Sequence, residues 1–254
     1  IQEQNGFAGL TNKKLGSRVQ CICVAYEGME RFFPADKIVM TGNPIRSIIV
    51  PATPEMKEAG IKEYGLDPSR KHIFIVGGSL GSARFNQCMK EWISDGCPGL
   101  DGVDVLWQCG KHYRPDIDRF MDEQRTKNPD VARHIHHSDF IGRMELAYAA
   151  ADVVISRSGA SSVSELCAAR KAVIFIPSPN VAEDHQTHNA MALVKKDAAV
   201  VVNDAEAMEK MIPTALELLK DPARIARLEE NAGKMALPDA AGKIAEEVYK
   251  LIKG

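Results

Sequence analysis

A short run of small and hydroxylated residues, Ser158-Gly159-Ala160-Ser161-Ser162, separates an apolar run at 153–156 from a predicted helix at 163–169. A strand that passes through Gly and Ser into a helix leaves backbone N–H groups unpaired at the positive end of the helix dipole. Phosphate and other anions bind at such a turn. We therefore predict an anion site here.

Glu165 follows the turn by about one helical turn and could accept hydrogen bonds from the two vicinal hydroxyls of a ribose. A nucleotide would then fit the site better than bare phosphate. The same spacing also allows a capping box, in which Ser162 caps the helix and Glu165 folds back onto the Ser162 amide. The sequence leaves both roles open, because they compete for the same carboxylate oxygens.

A second loop, Gly77-Gly78-Ser79-Leu80-Gly81-Ser82, lies between an apolar run at 73–76 and a predicted helix at 83–93. Glycine permits positive φ and lets a ligand approach the backbone, which suits a phosphate or a sugar. A tight turn that packs a helix on a strand would use the same residues. The presence of two such loops in one chain favours a ligand site.

Gln186 and Asn189 begin a predicted helix that follows an apolar strand at 173–176. In a parallel sheet this is the end at which ligands bind, and the two amides could hold sugar hydroxyls. A solvated helix face would carry the same residues. Both interpretations stay open.

Two groups of histidines and acids are candidates for a metal site: His134, His136, His137 and Asp139, and then Asp184, His185 and His188. Neighbouring residues of the first group point to opposite faces of a predicted strand, and no further ligand is suitably spaced. The second group places two histidines on one helix face without a third ligand. We expect neither a metal nor a cofactor.

The elements that position these residues alternate between strands and helices. Short apolar runs predict strands at 19–25, 37–40, 73–76, 103–108, 135–140, 153–156, 173–176 and 199–202. Thr53-Pro54-Glu55 predicts a helix start, 2–6 is predicted to be a polar turn, and 7–15 is predicted to be a helix that Gly16 ends. The alternation predicts a doubly wound parallel sheet of the α/β class, with a domain boundary near 44–52.

The composition limits the classes of function. The 254 residues are 45% hydrophobic and 26% charged, which suits one large or two ordinary globular domains. A net charge of -2 without a basic stripe gives no reason to expect a nucleic-acid partner. The six cysteines form no C-x-x-C pair, so we expect reduced thiols. No apolar run approaches the ~18 residues that span a bilayer.

Several motifs together resemble the MurG glycosyltransferases of bacterial peptidoglycan synthesis. They are Glu3-Gln4-Asn5-Gly6, Gly42-Asn43-Pro44-Ile45-Arg46, Gly77-Gly78-Ser79-Leu80-Gly81, Ser156-Arg157-Ser158-Gly159-Ala160 with Ser164-Glu165, and Glu183-Asp184-His185-Gln186 with Asn189-Ala190. The resemblance implies the GT-B fold, in which two Rossmann-like domains face a cleft. It also implies transfer of N-acetylglucosamine from UDP-N-acetylglucosamine to lipid I, the undecaprenyl-pyrophosphoryl-muramoyl-pentapeptide, to give lipid II.

By that resemblance, the donor site extends beyond the turn at Ser158. It would comprise Asn5, Arg46, Ser79, Ile141, Ala160, Ser161, Ser162, Val163, Ser164, Glu165 and Gln186. The run 160–164 would hold the diphosphate, Glu165 the ribose diol and Gln186 the hydroxyls of N-acetylglucosamine.

The remaining donor residues receive their roles from the same resemblance. Asn5 would face the sugar across the cleft, Arg46 and Ser79 would serve the diphosphate and its surroundings, and Ile141 would contact uracil.

The chain also departs from the family pattern. Many relatives have His where this chain has Gln2, and the N-terminal glycine-rich loop that carries the usual candidate base is absent. The base is therefore unknown, with Glu3 as a possible substitute. Because the chain begins at Ile1 rather than Met, we expect a donor-binding fragment without activity of its own.

The resemblance divides the chain into an acceptor-domain remainder at 1–46, a donor domain at 47–236 and a returning helix at 237–254. It implies an inverting displacement without a metal and a peripheral location at the cytoplasmic face of the bacterial inner membrane, held through the N-terminal domain. A UDP-N-acetylglucosamine 2-epimerase and a non-catalytic nucleotide-sugar-binding module remain alternatives.

Overall fold

A small parallel sheet forms the N-terminal part of the computed structural model, which describes residues 1–253. Its order is β1-β2-β3. The elements are β1 (Gln2–Glu3), α1 (Leu10–Gly16), β2 (Ile22–Val24) and β3 (Ile38–Met40). Ile22, Val24, Met29 and Phe33 pack in a core of their own beneath it. This unit is the part of a second Rossmann-like domain that the sequence predicts.

The larger sheet has six parallel strands in the order β6-β5-β4-β7-β8-β9. They are β4 (Lys71–Val76), β5 (Val103–Gln108), β6 (Ile135–Ser138), β7 (Val153–Ser156), β8 (Val173–Phe175) and β9 (Val200–Val201). The chain adds strands outward from β4 and then, from β7, in the opposite direction. The predicted doubly wound sheet is therefore confirmed, and its topological switch point lies between β4 and β7.

Helices cover both faces of this sheet. They are α2 (Pro54–Tyr64), α3 (Ala83–Ser94), α4 (Arg114–Lys127), α5 (Pro129–Ala132), α6 (Met144–Ala150), α7 (Ala160–Ala168), α8 (His185–Val194), α9 (Ala207–Leu219), α10 (Pro222–Lys234) and α11 (Ala240–Lys253). Along β4, Ile73 and Ile75 join the core beneath α3, α4 and α9, whereas Phe74 and Val76 join the core beneath α6, α7 and α8. Burial on both faces explains why β4 reads as a continuous apolar run.

The local signals for α2 are confirmed. Thr53 caps the helix, because its Oγ1 accepts a hydrogen bond from the Met56 amide at 3.3 Å, and Pro54 is the first helical residue. Gly65 ends the helix in the left-handed region with φ 66°. This geometry satisfies amide and carbonyl groups that a helix end otherwise leaves unpaired.

Three expectations about element boundaries are wrong. The predicted polar turn at 2–6 begins as strand β1, which pairs Gln2 with Cys23 of β2. Helix α1 begins at Leu10 rather than Phe7. Helix α7 begins at Ala160, within the predicted turn, rather than at Val163. Strand pairing across many residues and the orientation of a helix end depend on tertiary contacts that a local pattern does not contain.

The linker over residues 41–53 has no helix or strand and joins the two sheets. The chain returns to the N-terminal unit after α10: a Cβ added to Gly42 would lie 2.7 Å from the Leu237 Cβ, and Cys21 Sγ lies 3.9 Å from a carboxylate oxygen of Glu247. The six cysteines are all free thiols. Within residues 1–253, no helix combines the length and apolar character needed to cross a membrane.

Candidate functional site

A cavity of about 540 Å³ opens at the carboxyl ends of β4 and β7, at the switch point of the large sheet. Both loops predicted from the sequence line it. The lining residues include Gly77, Gly78, Gly81 and Ser82 from the first loop, Gly159 and Ser162 from the second, and Gln186 from the start of α8. The structure therefore brings the two glycine-containing loops to one site.

The first loop is also a tight packing turn. Gly81 has φ +77°, and a Cβ at this position would lie 2.3 Å from the Cys109 carbonyl oxygen of the next strand's loop. Ser82 caps α3, because its Oγ accepts a hydrogen bond from the Phe85 amide at 3.3 Å. The two interpretations of this loop are thus compatible: the glycines allow close packing and leave backbone at the cavity wall.

The N-terminus of α7 has no side-chain cap. Gly159 is the N-cap residue, and the Val163 amide makes the first intrahelical bond, to the Gly159 carbonyl at 3.0 Å. The amides of Ala160, Ser161 and Ser162 have no hydrogen-bond partner within the part of the chain that the structure describes. These amides and the helix dipole form an anion-binding arrangement beside the cavity.

Glu165 does not form the capping box. It is the sixth residue of α7, and its side chain is 12% exposed. Arg46 donates to Oε1 from Nε at 3.0 Å and from one terminal nitrogen at 2.9 Å, and that nitrogen also donates to Oε2 at 3.0 Å. Tyr148 donates its hydroxyl to Oε2 at 3.3 Å. The alternative of a helix cap is therefore wrong.

Tyr148 is a fixed donor in this group. Burial raises the pKa of Tyr148, and the negative charge of Glu165 raises it further. The hydroxyl therefore stays protonated at neutral pH and keeps its proton directed at the carboxylate. Arg46, whose side chain is 48% exposed, is by contrast the accessible partner of Glu165.

Gln186 connects two loops of the site. Its Oε1 accepts hydrogen bonds from the Ser158 amide at 3.3 Å and from the Ser178 amide at 2.9 Å. Ser158 in turn donates its hydroxyl to the Gln186 carbonyl at 2.8 Å. Gln186 is half-buried and lines the cavity, so it does not belong to a solvated helix face.

Asn189 joins the N-terminal unit to the same loop. Its Oδ1 accepts from the Gly6 amide at 2.8 Å, while its Nδ2 donates to Asn5 Oδ1 and to the Ser158 carbonyl, both at 3.1 Å. The residue is fully buried, so the solvated-face alternative is wrong here as well. Asn5 is thereby held near the turn that begins α7.

The linker contacts α7 at two successive positions. Asn43 donates to the Ser164 hydroxyl at 3.1 Å, and Arg46 binds Glu165 one residue further along the helix. Val163 and Ser164 face a second cavity, of about 630 Å³, between the two units. Of the predicted donor residues, Ser162 and Gln186 thus line the first cavity, and Val163 and Ser164 line the second.

Three other predicted residues do not line the first cavity. Ile141 is 2% exposed and packs in the core beneath α6 and α7. Ser79 lies on the first loop, between the lining residues Gly78 and Gly81. Glu3 is buried, and its carboxylate accepts hydrogen bonds from the amides of Asn5 and Gly9 and from Asn12 Nδ2. These bonds shape the 3–9 loop.

Two histidines of the group at β6, His134 and His136, contact a buried acid. His134 Nδ1 lies 2.8 Å and His136 Nε2 3.7 Å from the carboxylate of Asp104, which also contacts Arg70 at 2.7 Å. Burial raises the pKa of Asp104, but bonds from His136, the Asp67 amide and His134 outweigh it and lower that pKa to about 2. Within residues 1–253, no group of three or more His, Cys, Asp or Glu residues is arranged to hold a metal.

Residues 72–244 match the family model of the glycosyltransferase family 28 C-terminal domain. The chain belongs to glycosyltransferase family 28. Its relatives include the UDP-N-acetylglucosamine–N-acetylmuramyl-(pentapeptide) pyrophosphoryl-undecaprenol N-acetylglucosamine transferases of Bacteroides thetaiotaomicron, 47% identical, and Bacteroides fragilis, 48% identical. Both alignments cover 99% of this chain, but 66% and 64% of the two relatives. The family 28 chain thus spans slightly less than two thirds of their length.

A solved structure gives the same result. The crystal structure of MurG from Acinetobacter baumannii superposes with a TM-score of 0.73 at 25% identity, over 98% of this chain and 66% of that one. The resemblance inferred from the motifs and the GT-B fold are therefore confirmed.

The sequence interpretation of this family 28 chain did not assign roles to Arg157, Asp204 and Tyr148. Arg157 donates to Asp204 at 2.6 Å, to the Ile176 carbonyl at 2.9 Å and to the Ser82 hydroxyl at 3.0 Å. It therefore fixes the cavity wall between the two loops. The sequence contained one signal for Arg157, which is its position directly before the Ser158 turn. It contained no such signal for Asp204 and Tyr148, because only the fold brings them near the site.

Proposed function

We propose that this chain is the donor-binding part of an inverting glycosyltransferase that moves N-acetylglucosamine from UDP-N-acetylglucosamine to lipid I, forming lipid II. The observation that carries the proposal is the uncapped N-terminus of α7 at the switch point, with Glu165 one turn further on. The names of its relatives in two Bacteroides species support the same reaction.

In this proposal the diphosphate lies at the start of α7. The amides of 160–162 donate to its oxygens, and Ser162, Val163 and Ser164 continue the same turn of helix. Both the unpaired N–H groups and the helix dipole stabilise a dianion at this position. Arg46 and Ser79 lie on the neighbouring linker and loop and complete the diphosphate surroundings.

The remaining groups bind the two sugars and the base. Glu165 accepts hydrogen bonds from the ribose diol, and Gln186, with Asn5 across the cleft, binds N-acetylglucosamine. Ile141 borders the uracil. The Gln186 carboxamide oxygen already accepts two backbone amides, so its Nε2 is the atom that contacts a sugar hydroxyl.

Departure of UDP develops negative charge on the diphosphate. Preorganised N–H groups at a helix start and the Arg46 guanidinium stabilise that charge in the transition state. In this proposal, the longer protein supplies the base that takes the proton from the acceptor 4-hydroxyl, and this chain does not. General-base catalysis contributes ~10²- to 10⁴-fold, so this chain alone should transfer little or no sugar.

The wider arrangement is part of the same proposal. Residues 1–46 are the end of an acceptor-binding domain, 47–236 form the donor domain, and 237–254, of which Gly254 lies outside the described residues, are the segment that returns to the first domain. The contacts of Gly42 with Leu237 and of Cys21 with Glu247 support that return. The whole protein works at the cytoplasmic face of the inner membrane, where the lipid acceptor resides, and binds the membrane surface through its N-terminal domain.

Calorimetric titration with UDP and with UDP-N-acetylglucosamine tests the donor site. We expect saturable binding by the wild-type chain and about 10- to 100-fold weaker binding by Glu165→Ala, since hydrogen bonds to a charged group are lost. Glu217→Ala is the matched control, because it removes an exposed acid of α9 that does not line the cavity. A folded wild-type chain that binds neither compound would refute the proposal.

A further inference from the structure

The carboxylate of Glu165 is saturated in this structure. Oε1 accepts two hydrogen bonds from Arg46, and Oε2 accepts one from Arg46 and one from Tyr148. A carboxylate offers about four lone-pair positions, two on each oxygen. No acceptor position therefore remains for a ribose diol, which would donate two hydrogen bonds.

Of the two partners, Arg46 is the one that can withdraw. Tyr148 is 3% exposed and packs in the core beneath α6, with its ring in edge contact with Phe74. Arg46 lies on the irregular linker, and its side chain is about half exposed. Withdrawal of Arg46 alone would free three acceptor positions and leave the Tyr148 bond in place.

The guanidinium leaves a carboxylate readily only if another anion receives it. The nearest anion site is the start of α7, where the amides of 160–162 are unpaired, five residues or fewer before Glu165 on the same helix. A diphosphate placed there offers Arg46 a second charged partner. A nucleoside without phosphate offers it none.

We propose that Arg46 is a specificity-determining residue that closes the ribose position to uncharged nucleosides and opens it to nucleoside diphosphates. This inference rests on the proposed donor site and adds to it a mechanism of selection. While Arg46 is hydrogen-bonded to Glu165, the carboxylate cannot bind a ribose. Every nucleoside therefore binds only after Arg46 has separated from Glu165. The diphosphate of a donor compensates for that separation, and the free nucleoside does not.

The test compares uridine with UDP on the wild-type chain and on Arg46→Ala. Removing the guanidinium leaves the ribose position open, and uridine should bind on the order of 10-fold more tightly, because the fraction of competent protein rises. UDP should bind more weakly, because its phosphate loses a charged partner. The two affinities therefore move in opposite directions.

Three further variants complete the experiment. Arg46→Lys keeps the charge without the bidentate geometry, so both changes should be smaller than in Arg46→Ala. Tyr148→Phe removes a positioning hydrogen bond and should weaken uridine and UDP by similar factors, leaving their ratio unchanged. Arg119→Ala, an exposed site on α4, controls for loss of one positive charge and should change neither affinity.

The outcomes separate the two proposals. If wild-type protein binds UDP but Arg46→Ala binds uridine no more tightly than wild type does, the selection mechanism is wrong and the donor site stands. If folded wild-type protein does not bind UDP, both proposals are wrong. Should Arg46→Ala fail to fold, the same comparison is made with Arg46→Lys, where unchanged uridine affinity overturns the selection mechanism.

Discussion

Replacing Asn189 by alanine should destabilise the chain strongly, because this one carboxamide joins the two units and the Ser158 turn. The change removes three hydrogen bonds and leaves the Gly6 amide and the Ser158 carbonyl buried without partners. Each stranded buried group costs ~1–3 kcal/mol, so we expect a loss of about 2–5 kcal/mol in the free energy of unfolding. For a chain of this size the midpoint of thermal unfolding should fall by roughly 5–15 °C.

Urea unfolding followed by circular dichroism measures this loss. Asn231→Ala is the control: it removes two exposed hydrogen bonds, one donated to the Asp197 carbonyl and a long one accepted from Lys234 Nζ, and should cost less than ~1 kcal/mol because water replaces both. Asn189→Asp should be at least as damaging as Asn189→Ala at neutral pH, because a carboxylate oxygen would face the Ser158 carbonyl and Asn5 Oδ1, both acceptors. If Asn189→Ala costs no more than Asn231→Ala, the buried amide does not hold the units together.

Two further predictions concern the sheet and the first glycine loop. Because the folded pKa of Asp104 lies at about 2, below its ordinary value of 3.8, its charge stabilises the fold above pH 4, and that contribution disappears as the pH falls towards 2. After allowance for solvent screening it is worth ~1–2 kcal/mol, so urea unfolding between pH 7 and pH 3 should show a smaller acid-induced loss for Asp104→Asn than for wild type. Gly81→Ala should destabilise more than Gly78→Ala: both positions have positive φ, but only an added Cβ at Gly81 meets backbone, 2.3 Å from the Cys109 carbonyl oxygen. The positive φ alone costs ~1–2 kcal/mol, and equal unfolding midpoints for the two variants would contradict the packing argument.

The fold class follows from the sequence because burial on two faces and helix capping are local signals. The apolar run at 73–76 is too short for a helix and therefore predicts a strand. Helix α2 is delimited by Thr53-Pro54 at its start and by Gly65 at its end. Where an element depends on a distant partner, the local pattern fails. Strand β1 is two residues long and exists because it pairs with β2, twenty-one residues further along the chain.

The site shows the same division. The small residues before α7 predict an anion site at a helix start, since that property belongs to a few consecutive residues and to the backbone itself. The partners of Glu165 are different: Arg46 is 119 residues away and Tyr148 is 17, on separate elements. No spacing rule connects them, and the sequence therefore left the choice between helix cap and ribose ligand open.

The sequence by itself thus determined the family, the parallel α/β layering and the position of the two loops, because each depends on neighbouring residues. Only the tertiary structure decided what each side chain contacts. In the structure α7 starts at Ala160, Asn189 is buried between the two units, and Arg46 donates hydrogen bonds to Glu165. These outcomes depend on which elements pack together, and the energy of a contact between distant residues is fixed only when the fold has brought them within hydrogen-bond distance.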